Sequence, residues 1–434
     1  MSDEEDEFNR AVSAARDFNP YPGDFLEHEF ETYDLLRKHM PVARSESFPP
    51  LAPGSEDGKG WVVTRYEDSL DILRNPADFS SEASGYPVRP WIPQAIDPPM
   101  HTGYRRILNP LFTAEAMSKL EPQMERYADQ LVDEMLQKDS FDFVEDFADP
   151  FPTVTFCNLM GFPKEDYEKI MDWKNMFMHA DDGHPRGHKL ATEKGRSLGQ
   201  EVDDQGRLSG DGYMAVRGTV GQEIYAYFTE LLDRRRKEPQ DDLITTLLSA
   251  QYQGERPLTQ EELEDTMFLL FLAGLDTVAS ALGLMIQGFA QDAEKRHEFI
   301  ELMDDPQRVG MAIEELVRFH SIVLLPRRIT RELTFKGALF HQEDTVLMPS
   351  QAANRDVNAF EDPNVIRYDR VPNRHLGFGM GPHRCLGIHL ARKELKIALR
   401  AFHRRLPDYG LNPSQPAIGF GGMKGLSSLP LVKG

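Results

Sequence analysis

The sequence predicts a mainly α-helical fold with a small β region, and three observations carry that reading. Apolar residues recur at three- and four-residue spacing over long windows. Strand-like stretches are few and fall at about 41–65, 330–350 and 416–434. A glycine-punctuated loop sets Cys385 just before a helix-forming run.

The helical windows are Phe30 to Met40, Ala114 to Gln137, Asp166 to Met178, Val220 to Arg236, Gln260 to Ala290, Arg308 to Phe319 and Ile388 to Leu406. Thr259-Gln260-Glu261-Glu262 has the wording of a capping box for the fifth. The β signals are Trp61 to Arg65 and a hairpin over Glu332 to Pro349, with Lys336-Gly337 and Gln342-Glu343-Asp344 as turn material. A glycine-rich extended stretch, Ile418 to Val432, closes the chain. Early and late strands must therefore meet, with the helical middle between them.

Composition bounds the rest. The chain has 434 residues, 40% hydrophobic and 28% charged, which fits a globular protein in water. Residues 1–20 read as an acidic, mobile tail and 21–434 as a single domain. Met1 to Glu7 lacks the basic and apolar regions of a secretory signal. Cys157 and Cys385 make no disulfide framework, so a cytoplasmic location is expected. Cys157, among apolar neighbours, reads as an inert core residue. The net charge of −22 argues against nucleic acid as the main partner. The apolar run Met267 to Ala290 is interrupted by Gly274, Asp276, Gly283, Gln287 and Gly288, so it reads as a core helix and not a membrane span. Asp181 to Gly221 is rich in glycine and charge, and reads as a surface insertion or a lid. His184 and His188, four apart within it, read as solvated loop residues and not a metal pair, for want of a third ligand.

The chemistry concentrates in Phe378-Gly379-Met380-Gly381-Pro382-His383-Arg384-Cys385-Leu386-Gly387. A thiolate at a helix N-terminus is stabilised by backbone N–H groups, so a lowered pKa is expected at Cys385. Cysteine thiolate ligates haem iron and favours O–O cleavage, which points to oxygen chemistry. The glycines let backbone pass close to a flat ligand, Phe378 could shield the sulfur, and His383 could reach an acidic edge of that ligand. A dinucleotide loop would need a preceding strand and other glycine spacing, and here Pro372-Asn373-Arg374-His375 precedes.

This run resembles, position for position, the haem-binding signature of cytochrome P-450 monooxygenases, and further motifs of that family follow in order. The resemblance is strong from about Trp61 to His101 and from Glu261 to Val432, and weak from Phe141 to Gln260. It is nearest to soluble bacterial members of the camphor-hydroxylase type. It implies the P-450 fold, a large helical part and a minor β part with haem b between them. Cys385 would be the axial ligand, with Gly379 and Gly387 in the haem loop. Ala273-Gly274-Leu275-Asp276-Thr277 resembles the oxygen-activation motif: Gly274 would leave room for dioxygen, Thr277 would hold it, and Asp276 would help deliver protons. His101 and Arg105, one helical turn apart, would join Arg327 and His383 on the haem propionates, with Arg327 preferred over Arg328 by the family pattern, while Arg106 reads as a surface residue. Glu315 and Arg318 resemble the family's structural Glu-x-x-Arg, and Arg370 sits where their third member is expected. Asp369 and Ile366 depart from the usual wording there, and His101 stands where a tryptophan is common.

The implied pocket walls are Val88, Trp91, Leu269, Ala273, Thr277, Val323, Leu324 and Met423, so a small hydrophobic substrate is expected, terpenoid-like in preference to steroid or aromatic. Arg89 reads as facing solvent, with a substrate carboxylate or carbonyl as its other possible partner. The implied activity is hydroxylation or O-dealkylation by a monomer using O2. Electrons would come from an acidic ferredoxin and its reductase, docking on Arg374, Arg384, Arg392, Lys393 and Lys396. A haem sensor without turnover and a haem dehydratase or isomerase are the rivals, and neither needs Asp276 and Thr277.

Overall fold

The structure, a computed structural model, describes residues 3–21, 25–48, 60–83, 89–138, 140–181 and 184–434. The fold is mainly helical, at 57%. Its axis is the core helix Gln260–Gln291. Both bonds of the capping box are made: Glu262 N donates to Thr259 Oγ1 at 3.2 Å, and Thr259 N to Glu262 Oε2 at 2.8 Å. The helix is long and apolar enough to cross a membrane, yet most of it is buried inside the protein. It packs against Pro150–Met160, Gly210–Lys237, Ile388–Arg405 and the strand Gly425–Ser428.

The main sheet has five strands in the order Val42–Ser45, Gly60–Val63, Thr345–Pro349, Leu324–Ile329, Phe79–Ser80. Gly60–Val63 runs antiparallel to the first and parallel to Thr345–Pro349, so early and late chain meet here. The expected 332–349 hairpin is only partly formed. Leu333–Phe335 and Ala338–Phe340 pair across Lys336 and Gly337, both with positive φ, while Thr345–Pro349 leaves to join the main sheet. Leu324–Ile329 is a strand the sequence reading missed, because Pro326 argues against a central strand.

Three further expectations are corrected. The first residues are no loose tail: Asp3–Arg16 is a helix on Phe25–His39, with Ala11, Ala15 and Phe18 buried. The window from Ala114 to Gln137 is two helices, Ala114–Ser118 and Glu121–Leu136, with Pro122 opening the second. The 181–221 stretch holds the helix Pro185–Ser197 and the first turns of Gly210–Lys237, which begins ten residues before the predicted start at Val220. Ser209 caps that helix by accepting from Gly212 N, and burial of Leu208, Tyr213, Val216 and Val220 overrides the poor helix propensity of Gly210, Gly212 and Gly218.

A buried charge cluster joins the helix Pro306–Phe319 to the chain that leads into the cysteine loop. Glu315 and Arg318 have no exposed surface. Glu315 accepts from Arg318 Nε and Nη2, each at 2.8 Å, from Arg370 Nε at 3.0 Å, from Asn373 Nδ2 at 3.1 Å and from the Arg367 N–H at 2.9 Å. Arg318 donates onward to the carbonyls of Asn354 and Pro363, and Arg370 to that of Glu361. Removing the carboxylate strands two guanidiniums out of water. Glu315→Ala is expected to cost about 3–5 kcal/mol in denaturant unfolding; a loss under about 1 kcal/mol would contradict this account of the cluster.

Candidate active site

The cysteine loop is built by its glycines and its neighbours. Gly379 and Gly381 have φ of 64° and 72°. A Cβ on Gly381 would lie 2.2 Å from the Leu73 carbonyl oxygen, so the loop seats directly on the C-terminal end of the helix Tyr66–Leu73. Cys385 N donates to Phe378 O at 2.9 Å and closes the loop, and the helix Ile388–Arg405 follows from Gly387. Cys385 itself is half-buried. Its thiol is pushed up by burial, against the pull of the Gly387 N–H and of Arg105, Arg384 and Arg392. The expected lowering is thus corrected: burial outweighs the helix terminus and the three guanidiniums together.

Beside the loop, four expected residues come together. His101 and His383 lie ring to ring at 4.2 Å. His383 Nε2 is 3.1 Å from Asp97 Oδ1, and Asp97 also accepts from Ser80 Oγ and Ser81 N. The Nδ1 atoms of both histidines are buried with no partner among the described residues. Burial, with the charges of His383 and Arg105, holds the His101 pKa at about 4. Arg105 donates to the Arg384 carbonyl at 2.9 Å, and Arg327 is buried with His383 within electrostatic reach. Arg328 instead pairs with Glu343 and Glu82, and Arg106 is exposed. Asp97, which orients His383, was missed as a site residue; its place at the head of the Asp-Pro-Pro run was the available signal.

The core helix supplies the other wall. Leu269, Ala273 and Thr277, spaced by four, keep accessible surface on a helix whose neighbours Phe268, Leu272, Leu275 and Val278 are buried. Thr277 Oγ1 donates to the Ala273 carbonyl at 3.1 Å. Gly274 is corrected: a Cβ there would meet the Phe156 ring at 2.2 Å, so its missing side chain lets the helix Pro150–Met160 pack. Trp91 stacks on Phe268 at 6.0 Å and lies 6.5 Å from Phe177. The turn after Met423 is tied to the residues before Arg327 by Lys424 N donating to Ile322 O, which brings Met423 beside Val323, with Leu324 next in the strand. Val88 lies outside the described residues. Arg89 does not face solvent freely. Its guanidinium sits 2.9 Å from Glu264, 2.7 Å from Asp265 and 4.1 Å over the Tyr225 ring.

Asp276 is buried within a charged group that sequence reasoning missed. Its Oδ1 is 2.7 Å from His179 Nε2 and 3.5 Å from Lys174 Nζ, and Lys174 bonds Asp149 at 2.7 Å. Although burial opposes it, His179 and Lys174 hold the carboxyl well below the usual carboxylate range. The signal was a lysine in apolar register with Ile170, Trp173 and Phe177 on the helix Tyr167–Met178. His184 and His188 also depart from expectation. His184 is buried and caps Pro185–Ser197, and His188 lies 3.2 Å from the Tyr213 hydroxyl. Cys157 is fully buried, its thiol pushed up to about 12 by burial.

The chain is 30% identical, over 95% of its length and 98% of the relative's, to the polyketide biosynthesis cytochrome P-450 PksS of Bacillus subtilis. It is 32% identical, over 86% and 87%, to the mycinamicin IV hydroxylase/epoxidase of Micromonospora griseorubida. The chain belongs to the cytochrome P-450 family. The family model Cytochrome P-450 matches residues 211–406. The PksS structure superposes with TM-score 0.79, covering 96% of this chain and 99% of that one. CYP109E1 of Bacillus megaterium, solved with testosterone, is 26% identical with TM-score 0.76 over the full length of both. The protein is therefore a P-450 monooxygenase, and the family implies a haem.

The residues fit that group. One accessible-edged thiol, two orphaned imidazole nitrogens and two guanidiniums form a donor set suited to one metal and two carboxylates. Gly274→Ala should lower stability by about 1–3 kcal/mol through overpacking on Phe156. A thermal melt matching the parent protein would overturn that assignment of Gly274 to helix packing.

Proposed function

We propose that this P-450 is a b-type haem-thiolate enzyme that inserts one oxygen atom into an unactivated C–H bond of a small hydrophobic molecule, or dealkylates an ether. Cys385, delivered by the glycine loop at the head of Ile388–Arg405, is the observation that carries the reading. Cys385 would ligate the iron, and His101, Arg105, Arg327 and His383 would hold the propionates. When bound, the haem supplies dioxygen binding and O–O cleavage. Thr277 offers a hydroxyl on the accessible face of the core helix, and Asp276 a carboxylate one residue away to move protons. The apolar side chains of Trp91, Leu269, Ala273 and Met423 support a small hydrophobic substrate, and a terpenoid-like one is proposed. A steroid or an aromatic would meet the same wall.

Electrons would come from an acidic ferredoxin and its reductase. Two of the five proposed docking charges are already neutralised within the chain, Arg392 by Glu314 and Lys393 by Glu121. The dock therefore narrows to the exposed Arg374 and Arg384 with the half-buried Lys396. The two cysteines, which make no disulfide framework, support a cytoplasmic location, and a monomer is proposed.

Two experiments test this reading. Reduced protein under carbon monoxide should give the red-displaced haem-thiolate band, and Cys385→Ser should abolish it; a band that survives the substitution would overturn the ligand assignment. Terpenoids, steroids and small aromatics are then screened for a blue shift of the Soret band, and the ligand giving a full shift is the test substrate. With it, Thr277→Ala should cut product by about tenfold or more while peroxide release rises. Unchanged turnover would refute the role of Thr277.

A further inference from the structure

Met423, a proposed wall residue, sits at the tip of a hairpin. Ile418–Phe420 and Gly425–Ser428 pair on either side of it, with Phe420 opposite Gly425. Gly419, Gly421, Gly422 and Gly425 crowd the same few residues. Glycine loses more backbone freedom on folding than any other residue, so a tip of this composition does not hold a side chain in place by itself. The position of Met423 has to come from what the tip touches.

It touches the start of the chain. Gly422, with a φ of 78°, donates its N–H to the Pro20 carbonyl at 3.1 Å. A Cβ on Gly421 would lie 2.4 Å from the Tyr21 carbonyl oxygen and 2.7 Å from that of Pro20, and one on Gly422 would lie 2.8 Å from the Tyr21 ring. The glycines therefore give up local stiffness for the close approach of two backbones. On the other side of Met423, Lys424 forms an ion pair with Glu29, which is buried on the helix Phe25–His39. The Lys424 ammonium also lies 4.9 Å over the Phe30 ring, and the Arg355 guanidinium 3.7 Å over the same ring. Leu26, Glu29 and Phe30 fall on one face of that helix, and Leu26 comes within van der Waals reach of Gly419. Pro20, Tyr21, Glu29 and Phe30 thus grip the tip immediately before and after Met423.

We propose that Glu29 and Lys424 are positioning residues for substrate binding: with the backbone of Pro20 and Tyr21 they fix where Met423 stands, so the start of the chain tunes the fit of a small hydrophobic ligand. The inference rests on the monooxygenase reading above and on Met423 as a wall residue. An ion pair with one buried partner is weak evidence for added stability, because withdrawing both charges from water offsets most of their attraction. What the pair supplies is a defined place for a glycine-rich tip. The site and the first helices are thereby coupled, although no residue of those helices reaches the ligand.

The test uses the haem-loaded, full-length protein and two probes. Imidazole ligates iron, and phenylimidazole does so while carrying an apolar ring that must fit the pocket. The carbon-monoxide band is recorded first: its absence in the parent protein would defeat the haem-thiolate reading itself, and its presence in a variant shows that the variant folds and binds haem. Met423→Ala should weaken phenylimidazole binding about tenfold and leave imidazole binding unchanged. The paired variant Glu29→Gln/Lys424→Met removes the ion pair without leaving a buried charge behind. It should reproduce the loss for phenylimidazole alone, with a thermal melt that matches or exceeds that of the parent. Glu29→Gln by itself keeps the shape of the buried side chain and should show a loss of the same kind. Adding Met423→Ala to the paired variant should weaken binding no further, because the pair acts through Met423. With the band intact, the proposal is overturned by parent-like phenylimidazole binding in Met423→Ala or in the strap variants. It is equally overturned by a loss that imidazole shares, by a melt that falls together with affinity, or by losses that add when the substitutions are combined.

Discussion

A carboxylate with no contact with water, Glu315, organises the chain that leads into the cysteine loop. Leaving two guanidiniums and one carboxylate in the interior is tolerable only when each is bonded on every side. Glu315 meets that condition with Arg318, Arg370, Asn373 and a backbone N–H, and the arginines spend their remaining N–H groups on loop carbonyls. The result is a rigid bracket between the helix Pro306–Phe319 and residues 354–373. That stretch carries no long helix or strand of its own, so its geometry comes from the bracket. The cysteine loop begins a few residues later, and its closure through Cys385 N and Phe378 O inherits that rigidity.

The core helix repeats the arrangement with a less complete set of bonds. Asp276 is also buried and also paired, but one of its partners is a histidine and one of its oxygens has no partner among the described residues. A fully satisfied cluster such as that of Glu315 resists change. An incompletely satisfied one can exchange a proton without unfolding. The core helix that carries Asp276 presents an accessible edge through Leu269, Ala273 and Thr277.

Much of this was legible in the order of residues. The core helix, its capping box, the cysteine loop and the Glu315–Arg318 pair each reside in a run short enough for local rules to apply. Legibility failed where a residue takes its meaning from a distant segment. Gly274 reads locally as room for a small ligand, yet Phe156, far away in sequence, occupies the space against it. Arg89 reads as solvated, yet Glu264 and Asp265 hold it. Residues 1–20 read as an acidic, mobile tail, yet Ala11 and Ala15 on the helix Asp3–Arg16, with Phe18 after it, form a face that the rest of the protein buries.

By itself, the sequence determined the helical class and the family of the chain, because the cysteine loop and the oxygen-activation motif are contiguous and their chemistry depends on residue type and spacing. The tertiary structure alone decided the electrostatics. Whether the Cys385 thiol is stabilised as an anion by the helix terminus or opposed by burial, and which bases face Asp276, depend on distances between segments roughly a hundred residues apart or more. Coulomb interactions fall with separation in space and take no account of separation along the chain. That is why His179 and Lys174 became visible only once the helix Tyr167–Met178 was laid against the core helix.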